Sequence, residues 1–263
     1  MASLHIRIAD ADIAYTDSGA GPVTVYAHGL TASRAVDSEL GWMDWSPVVT
    51  AGRRLIAYDA RAHGGSSGVE TSEHYTWSHL AGDLLALLDA WTTSAPVSAI
   101  GSSMGTGTVL HAVVRAPERF DRLVLTAPPT AWGTRAAQAG MYLAAAEMVE
   151  LHGLDTFAEL AAQAPRPAVF ADLEKFPPTS DVPAALLPSV LRGAAASDLP
   201  DAEALRRIQQ PVLILAWAGD PGHPVSTAER LAALLPDTRL EIATSTADLR
   251  SWGGAAAAFL GPG

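Results

Sequence analysis

The chain has 263 residues, 28 acidic against 17 basic side chains for a net charge of −11, 49% apolar residues and no cysteine. That length suits one large α/β domain, with or without an inserted lid, and the missing cysteine excludes a disulfide scaffold, thiolate zinc sites and a cysteine nucleophile. The acidity argues against nucleic acid or an anionic membrane as partner, and with Lys175 the single lysine, no Gly-rich loop ends in Gly-Lys-Ser/Thr, which excludes a P-loop.

The first residues carry no basic stretch leading into an apolar run, so no signal peptide is expected. Nowhere do 18 apolar residues run together without a charge or turn residue, and the expectation is a cytoplasmic protein with no membrane partner. Residues 4–9 and 13–16 read as a hairpin around Asp10 and Asp12. A buried-strand pattern over 22–27 ends in His28-Gly29, a helical pattern covers 37–49, and a strand over 54–58 ends in Asp59. Helix is predicted over 76–91, strand over 97–100, helix over 104–115 and strand over 123–126. Strand and helix alternate, which implies a mostly parallel sheet with helices on both faces.

The alternation stops after Pro128-Pro129. Residues 130–200 hold Ala-rich helical stretches (134–152 and 154–163) and prolines at 165, 167, 177, 178, 183, 188 and 200, with no clear strand. It resumes with a strand over 211–217, a helix over 226–235, a strand over 239–242 and a last helix near 248–260. The chain thus divides into a first core part (1–129), a helical segment (130–200) and a second core part (201–263). The helical segment reads as a lid over the carboxyl edge of the sheet, or as extra surface helices.

Gly101-Ser102-Ser103-Met104-Gly105 sits between a strand and a helix and matches G-x-S-x-G. Glycines allow a turn so sharp that Ser103 projects from it, while the new helix aims its first N–H groups at the same point. Upstream, His28-Gly29-Leu30 ends another strand, where the Leu30 N–H can pair with that of Met104 to hold an oxyanion.

These pieces, with Asp59-Ala-Arg-Ala-His63-Gly-Gly-Ser66 and Asp220 after the strand 211–217, make nearly the whole chain resemble the α/β-hydrolase superfamily. The resemblance implies an α/β-hydrolase fold, Ser103 as nucleophile, the Leu30 and Met104 backbone as oxyanion hole, and Asp220 as the triad acid. Ala62 stands where the family usually has glycine, a change to a turn. A larger departure follows the last strand: the family carries its catalytic histidine there, whereas this chain reads Ala243-Thr-Ser-Thr-Ala-Asp-Leu-Arg-Ser-Trp252.

A serine hydroxyl needs a base, so each of the eight histidines is a candidate. His5 lies in the first strand, His63 serves its own loop, and His74 and His79 flank a helix start. His111 sits eight residues after Ser103, about 12 Å down the helix at 1.5 Å per residue. His152 belongs to the helical segment. His28 lies by the oxyanion site, as a brace, a base or a substrate contact. His223 closes Asp220-Pro221-Gly222-His223, a pattern that favours a type II turn holding acid and imidazole together. It is either the replacement base or a residue that shapes the turn before Pro224.

The expected function is a cofactor-free, metal-free serine hydrolase of a small to medium apolar ester, lactone or thioester, with a small-molecule substrate as partner. Ser103, Asp220 and His223 are its catalytic candidates. His28, Trp132, Met141 and Tyr142 are its substrate-binding candidates, and Trp42 and Trp45 border the entrance. Serine rather than aspartate at the elbow argues against dehalogenase or epoxide hydrolase chemistry. The alternative is a non-hydrolytic enzyme or a ligand-binding protein on a degenerate scaffold, because fold alone never fixes function.

Overall fold

The computed structural model describes residues 3–91, 95–163 and 166–263; Met1, Ala2 and Pro165 lie outside them. The hairpin forms as β1 (Leu4–Ile8) and β2 (Ala11–Ser18), paired antiparallel from Leu4↔Tyr15 to Ile8↔Ala11. Next come β3 (Val23–Ala27), α1 (Arg34–Leu40), α2 (Ser46–Thr50) and β4 (Arg54–Tyr58). The sequence predicts one helix over 37–49, and the structure has two. Gly41 ends α1 in the left-handed conformation (φ 64°), its N–H donating to Asp37 O, and so breaks the run. Then follow α3 (Trp77–Trp91), β5 (Val97–Ser102), α4 (Met104–Arg115) and β6 (Phe120–Thr126).

Between β6 and the next strand lie α5 (Arg135–Gln163), α6 (Leu187–Ala195) and α7 (Ala202–Arg206), with no strand among the described residues. Gly153 leaves helical geometry at φ 84° and bends α5 where the sequence predicts a break. Arg135 fastens this segment to the core. Its Nε donates to Ser197 O at 2.7 Å, another guanidinium nitrogen donates to the Ala194 carbonyl, and the group lies 4.3 Å from the Trp77 ring centroid. The chain ends with β7 (Val212–Trp217), α8 (Val225–Leu234), β8 (Thr238–Ala243), α9 (Thr246–Arg250) and α10 (Trp252–Leu260).

Among the described residues eight strands form one sheet in the order β1-β2-β4-β3-β5-β6-β7-β8, and of these β2 alone opposes its neighbours. Period-two alternation divides the core. Val25, Ala99, Leu123, Leu125 and Ile214 face α3, α4 and α8, while Tyr26, Ile100, Val124, Leu213 and Leu215 face α2, α9 and α10. Every residue of β5 and β7 is buried, as expected of parallel strands covered on both faces. After β3 the chain crosses to β4 on one side, and later to β5 on the other. The carboxyl ends of β3 and β5 therefore flank a switch point, where ligands bind in open α/β sheets. Among the described residues no helix is long and apolar enough to cross a membrane.

Candidate active site

Ser103 stands at that switch point with φ 51° and ψ −107°, a backbone conformation that costs a non-glycine residue on the order of 1–3 kcal/mol. Its neighbours over-determine it. The Ser103 N–H donates to Thr126 O at 3.0 Å on β6, and α4 starts at the next residue. A Cβ on Gly101 would stand 2.5 Å from Gly105 O, and one on Gly105 would collide with the Ala27 carbonyl. The two glycines of the motif thus let α4 turn straight off β5 and press against β3 (Val23–Ala27). On the β3 side a Cβ on Gly29 would lie 3.6 Å from Ser103 Cβ. Among the described residues neither the Leu30 nor the Met104 N–H donates to another protein group.

His223 meets Ser103 from β7: its Nε2 lies 2.8 Å from Ser103 Oγ, and its Nδ1 lies 2.7 Å from Asp220 Oδ2. The Asp220 carboxylate also accepts from the Trp217 indole N–H at 3.1 Å and from the Gly222 N–H at 2.8 Å. Burial alone raises this carboxyl, but the His223 hydrogen bond and charge, with the Gly222 and Trp217 donors, outweigh it and hold it at about 2. Asp220 is therefore ionised, and a carboxylate on Nδ1 sets the imidazole tautomer. The turn closes by His223 N–H to Asp220 O at 3.1 Å. It is not the expected type II turn. Gly222 is not among the positive-φ glycines, and the Asp220 side chain closes the bend through Gly222 N–H instead.

The loop after β8 has other work. Thr246 Oγ1 donates to Val169 O at 2.8 Å, and the Trp252 ring stacks on Trp217 at 5.7 Å with 3° between the planes. Trp217 in turn meets the His223 ring edge-on at 5.0 Å. Aromatic packing thus occupies the sheet edge beyond β7, and the histidine beside Ser103 comes from one strand earlier.

A cavity of about 230 Å³ opens at Ser103, with Leu30, Asp37, Trp42, Met43, Phe170 and Trp217 among its walls. Four residues predicted to bind substrate are not among them. His28 is 1% exposed, its Nδ1 on Gly29 O at 2.7 Å and its Nε2 accepting from Ala60 N–H at 2.9 Å, so both nitrogens brace the loop. Met141 is 65% exposed, on the outer face of α5. Trp132 donates its indole N–H to Pro200 O at 3.1 Å and packs on the core. Tyr142 is half-buried against Ala146, Val149 and the Arg135 guanidinium. Of the two entrance tryptophans, Trp42 lines the cavity, whereas Trp45 packs on Tyr26 and faces a separate groove.

Sequence reasoning missed Asp37, Met43 and Trp217, and among the large apolar residues of the helical segment it favoured Trp132, Met141 and Tyr142 where the cavity is lined by Phe170 and Phe176. Trp217 had a signal, as the last residue of a strand three positions before Asp220; Phe170 and Phe176 sit among prolines with no period to orient them. Asp59 and His63, a pair with no third ligand residue clustered beside it among the described residues, are separately engaged. Asp59 accepts from Arg34 Nε at 2.9 Å and Nη2 at 2.8 Å, and burial drives the enclosed His63 down to about 3.

The comparisons agree with this architecture. The crystal structure of a hydrolase from Pseudomonas aeruginosa PA01 superposes with a TM-score of 0.78 at 26% identity, covering 98% of each chain. An enol-lactonase from Burkholderia xenovorans LB400 gives 0.80 at 20% identity over 98% of this chain and 99% of that one. An epoxide hydrolase from Caballeronia sordidicola is 35% identical over 106 residues, 40% of this chain and 30% of that protein. The matched stretch spans 30% to 40% of the length of the curated relatives it resembles. Residues 22–247 match the family described as alpha/beta hydrolase fold, and the chain belongs to that family.

Proposed function

We propose that the protein is a serine hydrolase of small to medium apolar esters, lactones or thioesters, working through an acyl-enzyme on Ser103. The observation that carries this reading is the continuous relay from Ser103 Oγ to His223 Nε2 at 2.8 Å and from His223 Nδ1 to Asp220 at 2.7 Å. Ser103 Oγ attacks the carbonyl carbon as His223 Nε2 takes its proton. The carbonyl oxygen becomes an oxyanion held by the Leu30 and Met104 N–H groups, each such donor being worth about 2.7–4 kcal/mol of barrier. Collapse expels the alcohol or thiol, which takes the proton back from the imidazolium. Water activated by the same His223 then attacks the ester carbonyl and releases the acid. In this reading residues 130–200 act as a lid, through Phe170, Phe176 and Pro178 in the cavity wall.

The epoxide hydrolase match does not extend to that chemistry. Ring opening by a serine oxygen would leave an ether, which water cannot release as it releases an ester. A relic serine on a binding scaffold remains the rival.

Fluorophosphonate labelling with peptide mapping separates the two. The native protein is expected to take one label, on Ser103, and Ser103→Ala is expected to fold normally yet neither label nor turn over p-nitrophenyl esters. Ester turnover that survives in a folded Ser103→Ala protein removes Ser103 from the mechanism.

A further inference from the structure

Among the described residues three aspartates are buried, and they are not treated alike. Asp59 is 2% exposed and holds the Arg34 guanidinium; Asp83 is 8% exposed and holds that of Arg61 at 2.5 and 2.8 Å. Asp37, in the first turn of α1, is 5% exposed, and among the described residues no lysine or arginine pairs with it. Its Oδ2 accepts from the Tyr26 hydroxyl at 2.6 Å. It lines the cavity that contains Ser103, beside Leu40, Trp42 and Met43, and together with Tyr26 it also lines the separate groove beside Trp45. Arg34, three residues away on the same helix, is committed to Asp59.

A buried carboxylate without a counter-charge is expensive to keep. A leucine or methionine here would complete an apolar pocket at no such cost. We propose that Asp37 is a recognition site for a cationic amine carried by the substrate, seated in the cavity beside Ser103. The proposal rests on the hydrolase reading and names its substrate class: an ester or thioester with a compact ammonium on its acyl or leaving group. The apolar walls strengthen such a pair by excluding water. Burial pushes the Asp37 carboxyl above its ordinary value against the pull of the Tyr26 hydroxyl, of nearby His28 and of the Trp42 indole, and a cation bound against it would hold it ionised. The net charge of −11 draws cations toward the molecule.

Isosteric substrate pairs test this. S-dimethylaminoethyl thioacetate and S-isoamyl thioacetate carry the contrast on the leaving group. The p-nitrophenyl esters of γ-dimethylaminobutyrate and δ-methylhexanoate carry it on the acyl group. At neutral pH the native protein is expected to favour the ammonium member of at least one pair in kcat/KM by roughly ten- to hundredfold, as a hydrogen bond to a charged group allows. In Asp37→Asn that ratio is expected to fall toward one, with the fold checked by thermal melting and Asp37→Ser as the second variant if Asn does not fold. Native protein that hydrolyses all four with each pair matched within about threefold overturns the proposal and leaves the hydrolase reading standing. A variant that keeps the ratio reduces Asp37 to a tether between α1 and β3 and also overturns it. If none of the four is hydrolysed and fluorophosphonate leaves Ser103 unlabelled, the hydrolase reading falls, and this proposal with it.

Discussion

Asp220 places three donors on its carboxylate, and this ties stability to pH. Its folded value of about 2 lies below the ordinary 3.8. Between those two values the unfolded chain binds the proton more readily, so stability rises with pH across that window. The contribution is complete above the unfolded value and is lost as pH falls through the folded one. Its size is on the order of 2 kcal/mol. Urea unfolding of native protein and Asp220→Asn at about pH 6 and about pH 2 is expected to show a gap that closes on acidification. A gap of equal size at both would mean that Asp220 gains nothing from its partners. The Asp-Pro-Gly-His turn was legible because turn chemistry is local. Its type was not, because the Asx bond from Gly222 replaces the glycine torsion on which the sequence rule relies. Asp37 was illegible for the opposite reason: its hydroxyl partner Tyr26 comes from β3, and the cavity it lines is walled by Phe170 and Trp217 from far along the chain.

The elbow shows at the scale of elements how position decides what a glycine does. A methyl on Gly105 drives into the Ala27 carbonyl, backbone against backbone, with no flexible side chain to give way. Gly105→Ala is expected to cost about 1–3 kcal/mol or more, as overpacking does. Gly140 lies in α5, where an added methyl would meet nothing within 4 Å, so Gly140→Ala is expected to stabilise by up to about 1 kcal/mol. Denaturant midpoints of the two variants check the contrast, and equal effects would contradict it. Strand–helix alternation made β4 (Arg54–Tyr58) and α4 (Met104–Arg115) legible to the residue, since each carries its own period. The faces of α5 were not legible. An Ala-rich helix offers its apolar side chains in several directions, and packing on α6 turned Met141 to solvent.

For the whole molecule the arrangement moves one catalytic candidate along the sheet. The family resemblance implies a histidine after β8, yet the imidazole beside Ser103 comes from the loop after β7, held by an acid three residues away. The space beyond it is filled by the Trp42–Trp217–Trp252 stack and by the Thr246–Val169 hydrogen bond. Sheet order places the β3, β5 and β7 loops at one edge, which is why Gly29 and His223 approach Ser103 and Leu30 lines the same cavity. The central claim is that His223 is the base of Ser103. It is tested most directly by pre-steady-state acylation of native protein and His223→Ala with one activated ester. Loss of the base is expected to slow acylation by about 10²–10⁴ while the protein stays folded; a variant that acylates within a factor of a few of the native protein would contradict the claim.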